Sequence, residues 1–278
     1  MAKGNDGNLL QHWVEADLAA RLCASSEGGP LHVALTHGME PFETFDTRTV
    51  GIGGFRRLDA WLAVAQAASP PSDAPVLVGA YHKCAASADH YPNSAEILAA
   101  MVGRVSLRGV ITECDDKKHK TLAAAWSSGS VEVVHGSWRR SLHRLSCPAN
   151  LACPWIFSMD PMTFVRDLDR GSAPDDANLR PSDLAMVASV LSSYLASSRP
   201  GAASIFCYSL RKTPGFNSYE FFKTEIQALA DRLSCYLGFC EVPLANRHVG
   251  AILSMNGRLI AEVVTEWNAK CNAWSGAS

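Results

Sequence analysis

The sequence predicts an α/β fold built on a doubly wound, mostly parallel sheet. Three observations carry that expectation. Short apolar runs with the look of buried strands alternate with longer helical patterns along most of the chain. The last two apolar runs, 236–244 and 250–258, follow each other with no helix between them, so they form a hairpin-like pair and place an antiparallel strand at one edge of the sheet. The chain is 278 residues long and 47% hydrophobic, which is enough for one large domain with a proper core or for two small ones.

The elements follow in order. Residues 7–24 read as a helix, because Leu9, Leu10, Trp13, Val14, Leu18 and Leu22 fall close to one face, with Asp6 or Asn8 as the cap. The segment SSEGGP stops that helix, and LHVALTHG (31–38) is an apolar run ending at Gly38, as a buried strand does. Residues 55–69 read as a helix halted by Pro70 and Pro71, and 70–93 is polar, rich in Pro and without a regular pattern. SAEILAAMV (94–102) is helical. RGVITEC (108–114) is a strand ending in an acid, KKHKTLAAAW (117–126) a helix and VEVVHGSW (131–138) a strand. PWIFSMDP (154–161) is an apolar run ending in Asp-Pro. A loop (167–181), a helix (182–198), the strand ASIFCYSL (203–210) and a helix (218–234) lead to the closing pair. Seven strands result. The expected architecture is one domain over 1–278 with a helical or irregular insertion at about 55–105, and no internal repeat.

The bulk chemistry excludes several classes. A net charge of −2 excludes a globally basic nucleic-acid coat but leaves room for a local patch from Arg56, Arg57, Lys117, Lys118, Lys120, Arg139 and Arg140, residues that equally suit a solvated helix face. No apolar stretch reaches membrane-span length and no basic-then-apolar leader opens the chain, so the expectation is a cytoplasmic protein without membrane contact. Nine cysteines include no CxxC pair, so reduced, mostly buried thiols are expected and no metal site.

Ligands of an open α/β sheet bind beyond the carboxyl ends of its strands. There the sequence offers Thr36, His37 and Gly38, then Glu113, then Gly136, Ser137 and Trp138, then Asp160 and Pro161. An acid ending the second strand either caps the next helix or accepts two hydrogen bonds from a ribose diol. Asp-Pro is a common turn, but it also presents Asp160 where a carboxyl accepts a hydrogen bond from an amine or takes its proton. His37 suits a scaffold role as well as a site. No phosphate loop is present, and GIGG (51–54) is too short for a dinucleotide fingerprint.

The ordered segments GNDGNLLQHW, LHVALTHG, HYPNSAEIL, GVITECDDKKHKTL, VEVVHGSWRRSL and IFSMDP follow the landmarks of a known family over about residues 4–258. The chain resembles the 23S ribosomal RNA adenine-N6 methyltransferases of the RlmJ type. The resemblance implies a Rossmann-like class I methyltransferase fold with S-adenosylmethionine as cofactor. It implies a nucleic-acid partner, RNA ahead of DNA, and an exocyclic base amine as methyl acceptor, adenine N6 first. Carried over by position, it makes His12, His37, Gly38, Ser94, Glu113, Gly136 and Ser137 the cofactor pocket, with Ser94 at the methionine end and Glu113 on the ribose. Asp160 faces the target amine, and Asn5, Pro161 and Phe164 lie at the substrate.

The chain also departs from that pattern. The family's glycine-rich turn becomes THGMEPFE, with Met39 and Glu40 at positions where small residues are usual, and Asp-Pro-Pro-Tyr becomes DPMTF, with Thr163 in the aromatic position and Phe164 one residue later. The family's Asp-Gly-Phe aspartate becomes Gly136 or Ser137. These changes favour a second expectation beside the enzyme: a catalytically degenerate methyltransferase-fold protein that serves as a binding or partner module. Oligomeric state is open in the sequence.

Overall fold

The computed structural model describes residues 6–24, 29–39, 41–44, 76–84, 90–167, 177–210, 212–213, 215–242 and 247–275. The helix expected over 55–69, with Arg56 and Arg57, lies outside the described residues, as does much of 70–93.

Seven strands form the central sheet: β1 Leu31–Leu35, β2 Leu107–Glu113, β3 Ser130–His135, β4 Trp155–Met159, β5 Gly201–Leu210, β6 Tyr236–Val242 and β7 Arg247–Ser254. Their order is β6-β7-β5-β4-β1-β2-β3. The pairs β3–β2, β2–β1, β1–β4 and β4–β5 are parallel, whereas β7 runs antiparallel to both β5 and β6. The fold is therefore the expected Rossmann-like, doubly wound sheet, and its reversed strand sits one place in from the edge strand β6. Among the described residues three further pairs of strands, each two or three residues long, form outside this sheet: Phe42–Thr44 with His90–Pro92, Thr163–Phe164 with Asn178–Leu179, and Lys212–Thr213 with Phe216–Asn217.

Helices cover both faces. On one face pack α1 Asp6–Ala24, α2 Val76–Lys83, α3 Ser94–Val102, α4 Asp116–Ala125 and the C-terminal helix, and on the other lie α5 Trp138–Ser141, α6 Pro181–Leu195 and α7 Ser218–Leu233. All five residues of β1 are buried; Leu31, Val33 and Leu35 join the core under α1 while Ala34 joins the core on the opposite side. This two-sided burial explains why β1 reads as a continuous apolar run and not as an alternation. At Gly109 (φ 128°) β2 approaches β1 so closely that a Cβ would lie 1.9 Å from the Val33 carbonyl oxygen, so a side chain there would break the pairing.

The closing segment departs from the sequence expectation. The last strand ends at Ser254, and a 19-residue helix, α8 Gly257–Ser275, follows. Its signal is present in the sequence as Leu259, Ile260, Val263 and Trp267 at helical spacing, all buried, and Asn256 caps it by accepting from the Leu259 N–H at 3.1 Å. Trp267 packs edge-on against Trp13 of α1 with ring centroids 6.0 Å apart, and its indole N–H donates to the Glu241 carbonyl of β6 at 2.9 Å. The eight cysteines whose surroundings are described are free thiols, three buried, four half-buried and Cys114 exposed, fewer buried than expected.

Candidate active site at the carboxyl ends of the strands

The site grows from the turn after β1. The Thr36 N–H donates to the Ser158 carbonyl of β4, and the Gly38 N–H to the Thr112 carbonyl of β2, so the turn is wedged between both neighbours of β1. Gly38 is required by this packing, since a Cβ would meet Leu122 Cδ2 at 2.5 Å and Ile111 Cγ2 at 2.9 Å. Met39 takes a left-handed φ of 57°. Two polar side chains hold that conformation: Glu113 Oε2 accepts the Met39 N–H at 2.7 Å, and Asn93 Nδ2 donates to the Gly38 carbonyl at 2.9 Å. Asn93 also caps α3 through the Glu96 N–H, so one side chain ties the start of α3 to the turn. The turn thus keeps its shape through Glu113 and Asn93 in place of a run of glycines.

Strand order reverses its winding between β1 and β4, the position where open α/β sheets bind ligands. A narrow cleft opens there, lined by Asn8, Gln11, His12, His37, Gly38, Met39, Asn93, Ser94 and Asp160. His37 Nδ1 accepts the Asp160 N–H at 3.4 Å and lies 2.7 Å from the Thr36 hydroxyl, which assigns the ring proton to Nε2. Burial lowers the His12 pKa to about 3, so its imidazole is neutral at pH 7.

Beneath the cleft lies a buried polar network. Asp160 is 8% exposed and its Oδ1 has no hydrogen-bond partner among the described residues. Desolvation holds its carboxyl well above the usual range, opposed in part by hydrogen bonds to Tyr208 and Gln11, while the Glu15 charge raises it further. The Tyr208 hydroxyl donates to Gln11 Oε1 at 2.8 Å; Gln11 Nε2 donates to Ser94 Oγ at 3.0 Å and to Glu15 Oε1 at 3.2 Å; the Ser158 hydroxyl donates to Glu15 Oε1 at 2.7 Å. Burial pushes Glu15 up to about 7 against those hydrogen bonds.

An adjoining narrow cleft is lined by Thr36, His37, Thr112, Glu113, Cys114, Gly136 and Trp138. His37 borders both clefts. The Glu113 carboxylate is buried at the end of β2, and besides Met39 it accepts the Asp115 N–H at 2.8 Å. Each oxygen has a further lone pair, so the group can still accept from a diol. Gly136 follows β3 with φ 133°, and a Cβ placed on it would meet none of the described residues within 4 Å, so its backbone faces the cleft; Ser137 begins α5 beside it.

The structure thus brings His12, His37, Gly38, Ser94 and Asp160 to one cleft and Glu113 and Gly136 to its neighbour. Asn5 lies outside the described residues. Pro161 follows Asp160 and is buried. Two expectations are corrected. Phe164 is 1% exposed and packs on Phe221 and Phe222, because the chain after Asp-Pro turns inward to pair with Asn178–Leu179; it presents no ring to a ligand. Arg139 is not a free basic contact: it donates to both carboxylate oxygens of Asp183 at 2.7 Å and to the Asn178 carbonyl at 2.6 Å. Gln11, Glu15, Asn93 and Tyr208 went unnoticed in the sequence. Gln11 and Glu15 lie four apart on a stripe that continues through Leu18 and Leu22, and polar residues on an apolar stripe are the available signal.

No protein-family model and no curated protein matches the sequence. Among solved structures, protein LPL1258 from Legionella pneumophila, described with the family model DUF519, superposes with a TM-score of 0.63 at 14% identity, covering 96% of this chain and 92% of its own. That likeness shows a shared fold across nearly the full chain. Aeropyrum pernix fibrillarin with natively bound S-adenosyl-L-methionine overlaps at TM-score 0.34 and 14% identity, over 58% of this chain and 60% of that one. An S-adenosylmethionine-dependent methyltransferase from Aquifex aeolicus overlaps at TM-score 0.31 and 12% identity, over 58% and 74%. These two overlaps are too distant to carry weight.

Proposed function

We propose that the protein is an S-adenosylmethionine-dependent methyltransferase acting on an exocyclic amine of a nucleic-acid base, with adenine N6 in RNA as the first candidate. The observation that carries the reading is Asp160: a buried carboxyl at the end of β4, at the switch point of the sheet, with an acceptor oxygen that no group among the described residues satisfies. Buried acceptors are nearly always paired, so an unpaired one bordering a cleft suits a ligand donor. An amine N–H is such a donor.

The residues present fit the methyl donor. His12, His37, Gly38 and Ser94 would hold it on the Asp160 side, and Glu113, Gly136 and Ser137 on the other. The neutral His12 opposes no positive charge, and Glu113 has lone pairs left for a ribose diol. When bound, S-adenosylmethionine supplies a methyl group on a positively charged sulfur. The chain's own part is orientation and proton handling: Asp160 accepts the amine N–H and fixes the nitrogen lone pair, and the held geometry supplies much of the rate.

The position of Phe164 favours the second reading, a non-catalytic relative. Among the described residues no Phe, Tyr or Trp lines the Asp160 cleft, so base stacking there lacks its usual platform. Titration calorimetry with S-adenosylmethionine and S-adenosylhomocysteine separates the two. The expected result is micromolar binding, weakened at least tenfold in Glu113→Ala. Asp160→Ala then binds the donor but loses methyl transfer to RNA by about 10²–10⁴-fold. Absence of binding up to millimolar ligand sinks the enzyme reading and leaves the scaffold reading.

A further inference from the structure

The cleft stands over more buried acid than an amine acceptor requires. Asp160 alone serves that role, yet Glu15 of α1 lies fully buried beneath the same cleft. Among the described residues neither Glu15 Oε2 nor Asp160 Oδ1 has a hydrogen-bond partner. One side chain relates the pair, since Gln11 donates to Glu15 and accepts from Tyr208, whose hydroxyl adjoins Asp160.

The described surroundings hold no counter-ion. From α1 the pair faces the neutral His12; from the β1 turn, His37; from β5, Cys207 and Tyr208; and from β7, His248, whose ring lies 5.9 Å from that of Tyr208. On α3, Glu96 is paired with Arg104; on α1, Asp17 with Arg21; on α8, Glu262 with Arg21 and Arg258. On α2 the described groups are Lys83, which is exposed, and the adjoining Cys84. Among the described residues no lysine or arginine acts on Glu15 or Asp160. Two buried acids with few donors and no cation retain protons, and a positive charge placed above them reverses that preference.

We infer that binding of a positively charged ligand in this cleft expels a proton from the Glu15–Asp160 pair, leaving a carboxylate ready to take the proton that an amine gives up. The inference rests on the methyl-donor reading, because a donor serving an amine at Asp160 brings a positive sulfur to the cleft. On binding, a carboxyl O–H bond of the pair breaks and its proton passes to the buffer; the same carboxylate later forms an O–H bond with the amine's proton. No oxidant or reductant is involved. The upward shifts of both acids agree with this arrangement, as Glu15 is held at about 7.

The test is calorimetry at neutral pH in phosphate and in Tris, whose different ionisation heats report the protons exchanged. S-adenosylhomocysteine lacks the methyl group of S-adenosylmethionine and with it the positive charge at sulfur. The expected result is release of roughly one proton with the former and markedly less with the latter, with affinity for the former falling up to about tenfold per pH unit below neutrality. Glu15→Gln should reduce both the proton release and the pH dependence. Equal proton counts for the two bound ligands, or an unchanged count in Glu15→Gln, overturn the linkage while the methyl-donor reading stands. Failure of both ligands to bind takes down that reading and the linkage together. If Glu15→Gln does not fold, the wild-type comparison of the two ligands still decides.

Discussion

Phe164 shows how a shift of one position redirects a side chain. In DPMTF the ring falls one position later than in Asp-Pro-Pro-Tyr, and the short pairing with Asn178–Leu179 turns it into the core between Phe221 and Phe222. Phe164→Ala is expected to cost about 3–5 kcal/mol of unfolding free energy, read by urea denaturation; a stacking residue would leave stability nearly unchanged. Glu15 makes a prediction in pH. Its folded pKa is raised from 4.5 to about 7, so the stability it favours is fully present below about 4.5 and is lost as pH rises through about 7. Melting temperatures should therefore fall more between pH 5 and pH 8 in the wild type than in Glu15→Gln. An equal fall in both proteins would mean that Glu15 is already ionised.

Between elements, the connections after the strands depend on charged side chains tied to specific backbone groups. Arg139 of α5 reaches Asp183 of α6 and the Asn178 carbonyl, joining the start of α6 to the helix after β3. Its side chain is 20% exposed and Asp183 is buried, so Arg139→Ala leaves a carboxylate without its partner at a cost of about 2 kcal/mol or more. The check is denaturation beside RNA binding. A loss of RNA affinity at unchanged stability would return Arg139 to the nucleic-acid surface. The basic face that remains is on α4, where Lys117 is exposed and Lys120 pairs with Asp116 at 2.6 Å in solvent.

At the scale of the molecule, α8 closes the sheet by seating Trp267 between α1 and β6. Trp267→Ala is expected to cost about 3–5 kcal/mol, measured by thermal or urea unfolding, although the residue lies far along the chain from every site residue. A small change would show that the helix is an accessory to the fold. α8 also marks a limit of pattern reading, since its periodicity was legible but was eclipsed by the strand signal of 250–258. The seven strands, their alternation with helices and the closing reversed pair were legible because burial on one or both faces writes a period into hydrophobicity. Glu113 and Asp160 were legible as sites because strand ends can be counted along a sequence. What the sequence did not carry is which polar groups meet across the fold. Glu15 and Asp160 are 145 positions apart, and the hydrogen bonds that relate them run through Gln11 and Tyr208. Hydrophobic period is a local property, whereas the desolvation and pairing of a buried acid depend on neighbours that only chain folding brings together.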